Sequence, residues 1–154
     1  DGLGLKRNDR RIAVLNLNAK FGRFAKKHLK SEYFVWLTTV DSTGTPQPRP
    51  VWFIWEKDSF LIFSKPMAHK LKHIQKNPQA SLHFNSADKK AQKRLIIFTG
   101  TASIEKNAAP AHKNRAYIKK YKGGITGLDK TPEQFAGEYS VAIRITPAKL
   151  RGWE

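Results

Sequence analysis

Three prolines at alternate positions constrain the fold of this chain more than any other feature of its sequence. Pro46, Pro48 and Pro50 belong to the stretch T-P-Q-P-R-P at 45–50, which follows a polar turn at 41–44. Alternate residues of a β-strand direct their backbone groups to the same neighbour, so these prolines remove the N–H donors from one side. We therefore predict an edge strand whose bare side faces solvent, a ligand or a second subunit.

The segment 49–74 predicts a hairpin followed by a helix. Its first strand alternates between two faces over 49–56, and its return strand covers 60–65. Pro66 is predicted to open the helix, residues 66–77, because a first helical residue needs no N–H. The polar side chains beside that helix start are Ser64, Lys65, His69 and Lys70. Free backbone donors, a hydroxyl and cations favour a phosphate site, and the alternative is an ordinary basic helix face in solvent.

The chain is ordinary in size but strongly basic. Its 154 residues include 29 Lys and Arg against 12 Asp and Glu, which gives a formal net charge of +17. Such a charge attracts phosphates, nucleic acids, anionic membranes and polyanionic small molecules, and it does not specify a fold. The absence of cysteine excludes disulfides, thiolate metal sites and a cysteine nucleophile. No apolar run approaches the ~20 residues of a membrane span, so we expect a cytoplasmic protein.

The remaining pattern predicts a mainly β protein with helices, in a single domain spanning residues 1–154. Residues 1–9 are expected to be loose, 10–30 to form an amphipathic helix, and 31–154 to form the body. Further strands are predicted at 34–40, 80–84, 95–105 and 140–145, and further helices at 109–122 and from Thr131 onwards. About six antiparallel strands with inserted helices favour a barrel-like sheet over a doubly wound one.

Glycine and proline positions predict one irregularity inside a strand and two helix boundaries. Gly100 indicates a bulge or a close backbone approach inside its strand. Gly123 and Gly124 are predicted to end the helix at 109–122. Pro132 is predicted to be the first residue of the short helix after Thr131.

No catalytic motif emerges from these residues. His69 and His73 are spaced like two metal ligands on a helix, but residue 70 is Lys and the sequence indicates no third ligand. Ser64 lacks the glycine-flanked elbow of a hydrolase nucleophile. The carboxylates lie in turns or at strand ends, which does not favour paired acid–base catalysis. We therefore expect no metal, leave the catalytic residues unassigned, and expect any chemistry to belong to a bound cofactor.

Four stretches carry a resemblance to a known family. They are W-L-T-T-V-D at 36–41, P-Q-P-R-P-V-W-F at 46–53, F-S-K-P-M-A-H-K-L-K-H-I at 63–74 and R-G-W at 151–153. In order and spacing they resemble the split β-barrel flavoproteins of the pyridoxamine 5′-phosphate oxidase-like superfamily, especially the flavin/deazaflavin-dependent oxidoreductases. The resemblance covers about residues 30–154. It implies an FMN-binding-like split β-barrel and a redox enzyme for a small-molecule substrate, with FMN or the deazaflavin coenzyme F-420 as cofactor.

The resemblance also implies which residues bind the cofactor. The isoalloxazine-type ring would lie beside Arg49, Pro50, Val51 and Trp52. Its polar edge or ribityl chain would contact Phe63 and Ser64. The phosphate would be surrounded by Lys65, His69 and Lys70, with His69 at a position where the family often has Arg.

In the resembled family, two subunits form a two-fold dimer with the cofactors between them. We therefore expect a homodimer in which Trp153 packs on the cofactor bound mainly by the partner, and the alternative is a loose terminal residue. The Arg-x-His that pyridoxamine 5′-phosphate oxidases use for their substrate is absent here, so that activity is not expected. Nucleic acid and membranes are not expected partners. The rival function is a non-catalytic basic module that binds nucleic acid or stores a flavin.

Overall fold

The computed structural model of the protein describes residues 15–85 and 95–153, with the backbone only at Trp153. The strands are β1 (Phe34–Val40), β2 (Pro46–Trp52), β3 (Ile54–Glu56), β4 (Ser59–Ser64), β5 (Gln79–His83), β6 (Leu95–Ile104) and β7 (Val141–Trp153). The helices are α1 (Lys20–Ser31), α2 (His69–Lys76), α3 (Arg115–Gly127) and α4 (Pro132–Glu138), with a short 3-10 helix at Ala111–Lys113. The predictions for residues 1–14 fall outside the described residues.

The seven strands form one curled antiparallel sheet in the order β2-β1-β5-β6-β7-β4-β3. This half-barrel with helices confirms the predicted fold class. β6 and β7 form the longest ladder, which shifts register between Thr99 and Gly100. The shift confirms the bulge predicted at Gly100, where a Cβ atom would overlap the backbone of Thr146.

The two edge strands of this sheet belong to one extended segment. β2 pairs with β1 and β3 pairs with β4, and only Phe53 separates β2 from β3. The prediction of one continuous strand over 49–56 is therefore wrong, because the chain leaves one sheet edge and joins the opposite edge at Phe53. This crossing also explains why the described residues contain seven strands rather than about six.

The backbone of Phe53 finds its hydrogen bonds on α3 instead of in the sheet. The Tyr121 hydroxyl lies 2.8 Å from the Phe53 nitrogen and 2.7 Å from its carbonyl oxygen, and 2.7 Å from the carbonyl oxygen of Tyr33. Lys120 Nζ donates to the Phe53 carbonyl at 2.9 Å and lies 3.8 Å above the Phe53 ring. Burial lowers the pKa of Lys120 to about 8. α3 thus satisfies the buried backbone groups at the crossing.

The start of α2 differs from the prediction. The helix begins at His69, and Pro66 lies in a turn closed by the Ala68 N–H, which donates to the Lys65 carbonyl at 3.2 Å. Proline suits the second position of such a turn as well as the first position of a helix. Within the described part of the chain no side chain caps the helix at Ala68, so the local sequence does not fix the start at Pro66.

The Gly123-Gly124 pair does not end α3, which continues to Gly127. A Cβ atom at Gly124 would overlap the ring of Trp52 and the hydroxyl of Tyr33. The glycine therefore serves the close approach of α3 to β2, and the prediction of a helix end there is wrong.

Other boundaries follow the sequence more closely. β1 has the predicted bounds, and α4 opens with Pro132 behind a complete capping box between Thr131 and Gln134. α1 begins only at Lys20, because the Asn16 side chain accepts the N–H groups of Asn18 and Ala19 in a turn. None of the helices in the described residues is long and apolar enough to cross a bilayer.

The sheet separates two apolar clusters. One lies between the sheet, α1 and α2, and the other lies between the sheet, α3 and α4. β4 is buried on both faces, with Phe60 and Ile62 in the first cluster and Leu61 and Phe63 in the second. β4 therefore links the two clusters, and its neighbour β7 does so too, with Ile143 in the first and Ala142 in the second.

Tyr121→Phe should destabilise the protein by about 1–3 kcal/mol, because it leaves the buried N–H of Phe53 without its acceptor while the ring stays in place. Unfolding in urea measures the difference in free energy. Tyr33→Phe is the control, since this side chain is 44% exposed and its hydroxyl makes no comparable contact in the described part of the chain. Equal unfolding midpoints for the two variants would contradict the role of Tyr121.

Candidate cofactor site

A largely apolar pocket of about 210 Å³ lies where β2, β4, α2, α3 and α4 meet. Its lining consists of Pro50, Val51, Trp52, Phe63, Lys70, Tyr117, Leu128, Phe135 and Tyr139. The first five of these were predicted from the sequence to contact a cofactor. The fold therefore brings half of the predicted site residues to one cavity.

The β2 side of this pocket is a free sheet edge. β2 pairs with β1 at every position from Pro46 to Trp52, and its other side has no partner strand among the described residues. Prolines cannot donate to the ladder, so their ring nitrogens lie on the free side together with their carbonyl oxygens. This confirms the predicted edge strand, whose proline positions offer hydrogen-bond acceptors and no donors.

Arg49 and Lys70 form a pair of neighbouring cations for which the described residues supply no counter-ion. Burial and the nearby charge of Arg49 lower the pKa of Lys70, whose side chain is half-buried. The Nε atom of Arg49 is buried and has no hydrogen-bond partner within residues 15–85 and 95–153. No carboxylate in those ranges pairs with either side chain. Two neighbouring cations that lack an anion are suited to binding one.

His69 and Lys70 are neighbours in sequence but face different cavities. His69 lines a separate pocket of about 250 Å³ together with His73 and Asp41. His73 lies 2.8 Å from the Thr39 hydroxyl through Nδ1, and burial and Arg49 lower its pKa. In the portion of the chain that the structure describes, no cluster of three potential metal ligands occurs.

Two further predicted contact residues, Lys65 and Ser64, are engaged within the protein. Lys65 Nζ forms an ion pair with Glu138 at 2.9 Å, which raises the pKa of Lys65. The Ser64 hydroxyl is buried and donates to the Lys65 carbonyl at 3.0 Å. The backbone of Trp153 pairs with Leu95 at the end of β7, and its side chain lies outside the described structure. The proposed roles of these three residues stay predictions.

Sequence reasoning missed the wall contributed by α3 and α4. Tyr117, Tyr121 and Ile125 repeat every four residues and are all buried, so the helical period predicts their common inward face. The period does not reveal that Tyr117 lines a pocket with Phe135 and Tyr139. The hydroxyl of Tyr117 has no hydrogen-bond partner in the described residues.

The architecture is that of a split β-barrel protein with a cavity beside one sheet edge. A family model described as pyridoxamine 5′-phosphate oxidase matches residues 22–154, so the chain belongs to this family. The resemblance inferred from the four sequence stretches is thereby confirmed. No curated protein matches the chain significantly.

Solved structures with the same fold differ in their described roles. A conserved hypothetical protein from Mycobacterium tuberculosis has a TM-score of 0.70 at 18% identity, covering 86% of this chain and 83% of its own. An F420 reductase has a TM-score of 0.61 at 21% identity, and the match covers 82% of this chain and 94% of the reductase. A heme storage protein from Vibrio cholerae has a TM-score of 0.60 at 14% identity, and the match covers 85% of this chain and 93% of the storage protein. At these identities the similarity establishes the fold and leaves the function open.

Lys70→Met should raise the melting temperature of the ligand-free protein by roughly 1–3 °C, because it removes a half-buried charge beside Arg49. The pKa of Lys70 is lowered in the folded state. Its protonated form therefore opposes folding at neutral pH, and this effect disappears as the pH rises towards the ordinary lysine value of 10.5.

Thermal unfolding of the wild-type protein and of Lys70→Met, each at pH 7 and pH 10, measures this difference in melting temperature. Lys76→Met is the control, because Lys76 is exposed at the end of the same helix. A Lys70→Met protein that melts below the Lys76→Met protein would contradict the charge repulsion.

Proposed function

We propose that this protein is an oxidoreductase that uses FMN or, alternatively, the deazaflavin coenzyme F-420. The observation that carries the proposal is the cation pair of Arg49 and Lys70, which has no counter-ion among the described residues. Lys70 also lines the apolar pocket. A ligand with a phosphate and a flat ring system satisfies the cations and fills the cavity with one molecule.

The residues on the two sides of the pocket fit such a cofactor. Arg49 and Lys70 would hold the phosphate, and the ring would lie along Pro50–Trp52 and against Phe63. The acceptor groups on the free side of β2 suit ring N–H groups. Lys65 would join the phosphate by leaving Glu138, and a phosphate contact of His69 would require its side chain to leave the separate pocket that it lines. The bound cofactor supplies the hydride or electron transfer, and the protein supplies position and electrostatics.

Family membership and the similarity to an F420 reductase support a redox role. The similarity to a heme storage protein shows that the same fold also serves binding proteins, so the fold alone does not decide between catalysis and storage. The net charge of +17 suits the polyanionic tail of coenzyme F-420 and would equally suit nucleic acid.

Mass spectrometry of the ligand that copurifies with the protein tests the proposal and separates FMN from the deazaflavin. Absorption in the flavin or deazaflavin range, bleached by a chemical reductant, supports it. A colourless protein that binds neither cofactor, yet binds RNA with a steep salt dependence, would contradict it in favour of the basic binding module.

Lys70→Ala should weaken FMN binding by roughly 1.5–3 kcal/mol, because a half-buried ammonium group would lose a charge-assisted contact to the phosphate. Isothermal titration of the ligand-free protein measures the change. Lys76→Ala should have little effect, since Lys76 is exposed and does not line the pocket. Equal, small effects of both substitutions would contradict the phosphate contact and would indicate that α2 is only a solvated basic helix.

We also propose that the protein is a homodimer whose cofactor sites lie between the subunits. Two large apolar side chains are exposed to solvent: Leu128, at 47% exposure, lines the pocket, and Met67, at 84% exposure, lies in the turn before α2. A partner subunit would cover both residues. The dimer of the resembled family supports the same arrangement and assigns Trp153 to the partner's site.

Mixed dimers test whether Trp153 crosses the interface. One subunit carries Lys70→Ala and its partner carries Trp153→Ala. If each site borrows its tryptophan, one site has both defects and the other has neither, so one site with wild-type FMN affinity survives per dimer. Two equally weakened sites would show that Trp153 acts within its own chain, and a monomer by light scattering would contradict the dimer itself.

A further inference from the structure

Two tyrosines on α3 have the same burial but opposite hydrogen bonding. Tyr117 and Tyr121 lie one helical turn apart, and both side chains are 0% exposed. The Tyr121 hydroxyl contacts Phe53 and Tyr33 through their backbone groups. The Tyr117 hydroxyl is buried and has no partner anywhere in the described ranges.

An unpaired buried hydroxyl costs folding free energy that a phenylalanine at the same position would avoid. The ring of Tyr117 is already well packed. It meets Phe63 edge-on at 4.9 Å between centroids, Tyr121 at 4.8 Å and Phe135 at 6.0 Å. Packing therefore explains the aromatic ring and leaves the hydroxyl unexplained.

The position of Tyr117 indicates what the hydroxyl serves. Its side chain lines the pocket whose other walls are aromatic or aliphatic, apart from Lys70 and the edge of β2. The three neighbouring rings hold the ring of Tyr117 in place before any ligand enters. Burial and the neighbouring tyrosines raise its pKa, which keeps it a proton-bearing donor at physiological pH.

We propose that Tyr117 recognises the ring of the bound cofactor, its hydroxyl donating a hydrogen bond to a carbonyl oxygen or an unprotonated nitrogen of the ring. This inference rests on the proposed function and assigns the ring and the phosphate to different residues. Tyr117 recognises the ring, and Arg49 and Lys70 recognise the phosphate. A ligand that has the ring but lacks the phosphate should therefore depend on Tyr117 and hardly on Lys70.

Fluorescence titration with FMN and riboflavin, and with the deazaflavin chromophore with and without its phosphate tail, separates the two roles. Tyr117→Phe should weaken binding of the phosphate-bearing and phosphate-free forms alike, by about tenfold. Lys70→Ala should weaken binding of FMN and leave riboflavin nearly unchanged. Tyr33→Phe is the matched control for removing a hydroxyl from the same aromatic cluster.

The stability of the ligand-free variants provides a second measurement that is independent of activity. Tyr117→Phe should melt at or above the wild-type temperature because it removes an unpaired buried group, whereas Tyr121→Phe should melt lower. Unchanged riboflavin affinity in Tyr117→Phe would overturn the inference while leaving the proposed function intact. A loss of affinity together with a fall in melting temperature as large as that of Tyr121→Phe would also overturn it. A wild-type protein that binds no flavin or deazaflavin would overturn the proposed function and this inference together.

Discussion

The structure depends on how the backbone of Phe53 is satisfied where the chain crosses from one sheet edge to the other. A strand supplies its hydrogen bonds from neighbouring strands, but at a crossing between edges no neighbour is available. Tyr121 and Lys120 of α3 take the place of a strand there. Because this contact fixes α3 against β2, it also fixes Tyr117, one turn earlier, in the wall of the pocket. The hydrogen bonds that the Phe53 backbone needs at the crossing thus also position one wall of the candidate site.

The site combines features that are individually unfavourable for a protein without a ligand. Arg49 and Lys70 repel each other and lack an anion, and the hydroxyl of Tyr117 lacks an acceptor, as far as the described residues go. Lys70 and Tyr117 line one cavity, and Arg49 lies close enough to Lys70 to lower its pKa. Each would gain a partner when a molecule with an anionic end and an acceptor-bearing ring occupies it. Under the proposed function, the arrangement would exchange stability of the ligand-free protein for affinity.

The sequence predicts the sheet better than it predicts the helices around the pocket. Alternation and turn residues place β1, the edge strand with its prolines and the bulge at Gly100, because these patterns act locally. The role of Gly124 depends on a contact with Trp52, far away in sequence, whereas the local sequence predicts a helix end there. Pro66 suits two local structures, and the surrounding residues do not choose between them. Half of the predicted site residues line the pocket, but the contribution of Tyr117 depends on tertiary packing.

The proline-bearing edge of β2 has a consequence for the behaviour of the protein in a crowded cell. An open sheet edge normally invites a strand from another molecule, and such pairing leads to aggregates and fibres. A strand can extend a sheet only where it finds donors and acceptors in alternation. The proline positions of this edge offer acceptors alone, so an incoming strand would find no regular ladder. The chain can therefore keep an edge open beside its pocket while remaining a poor template for its own polymerisation.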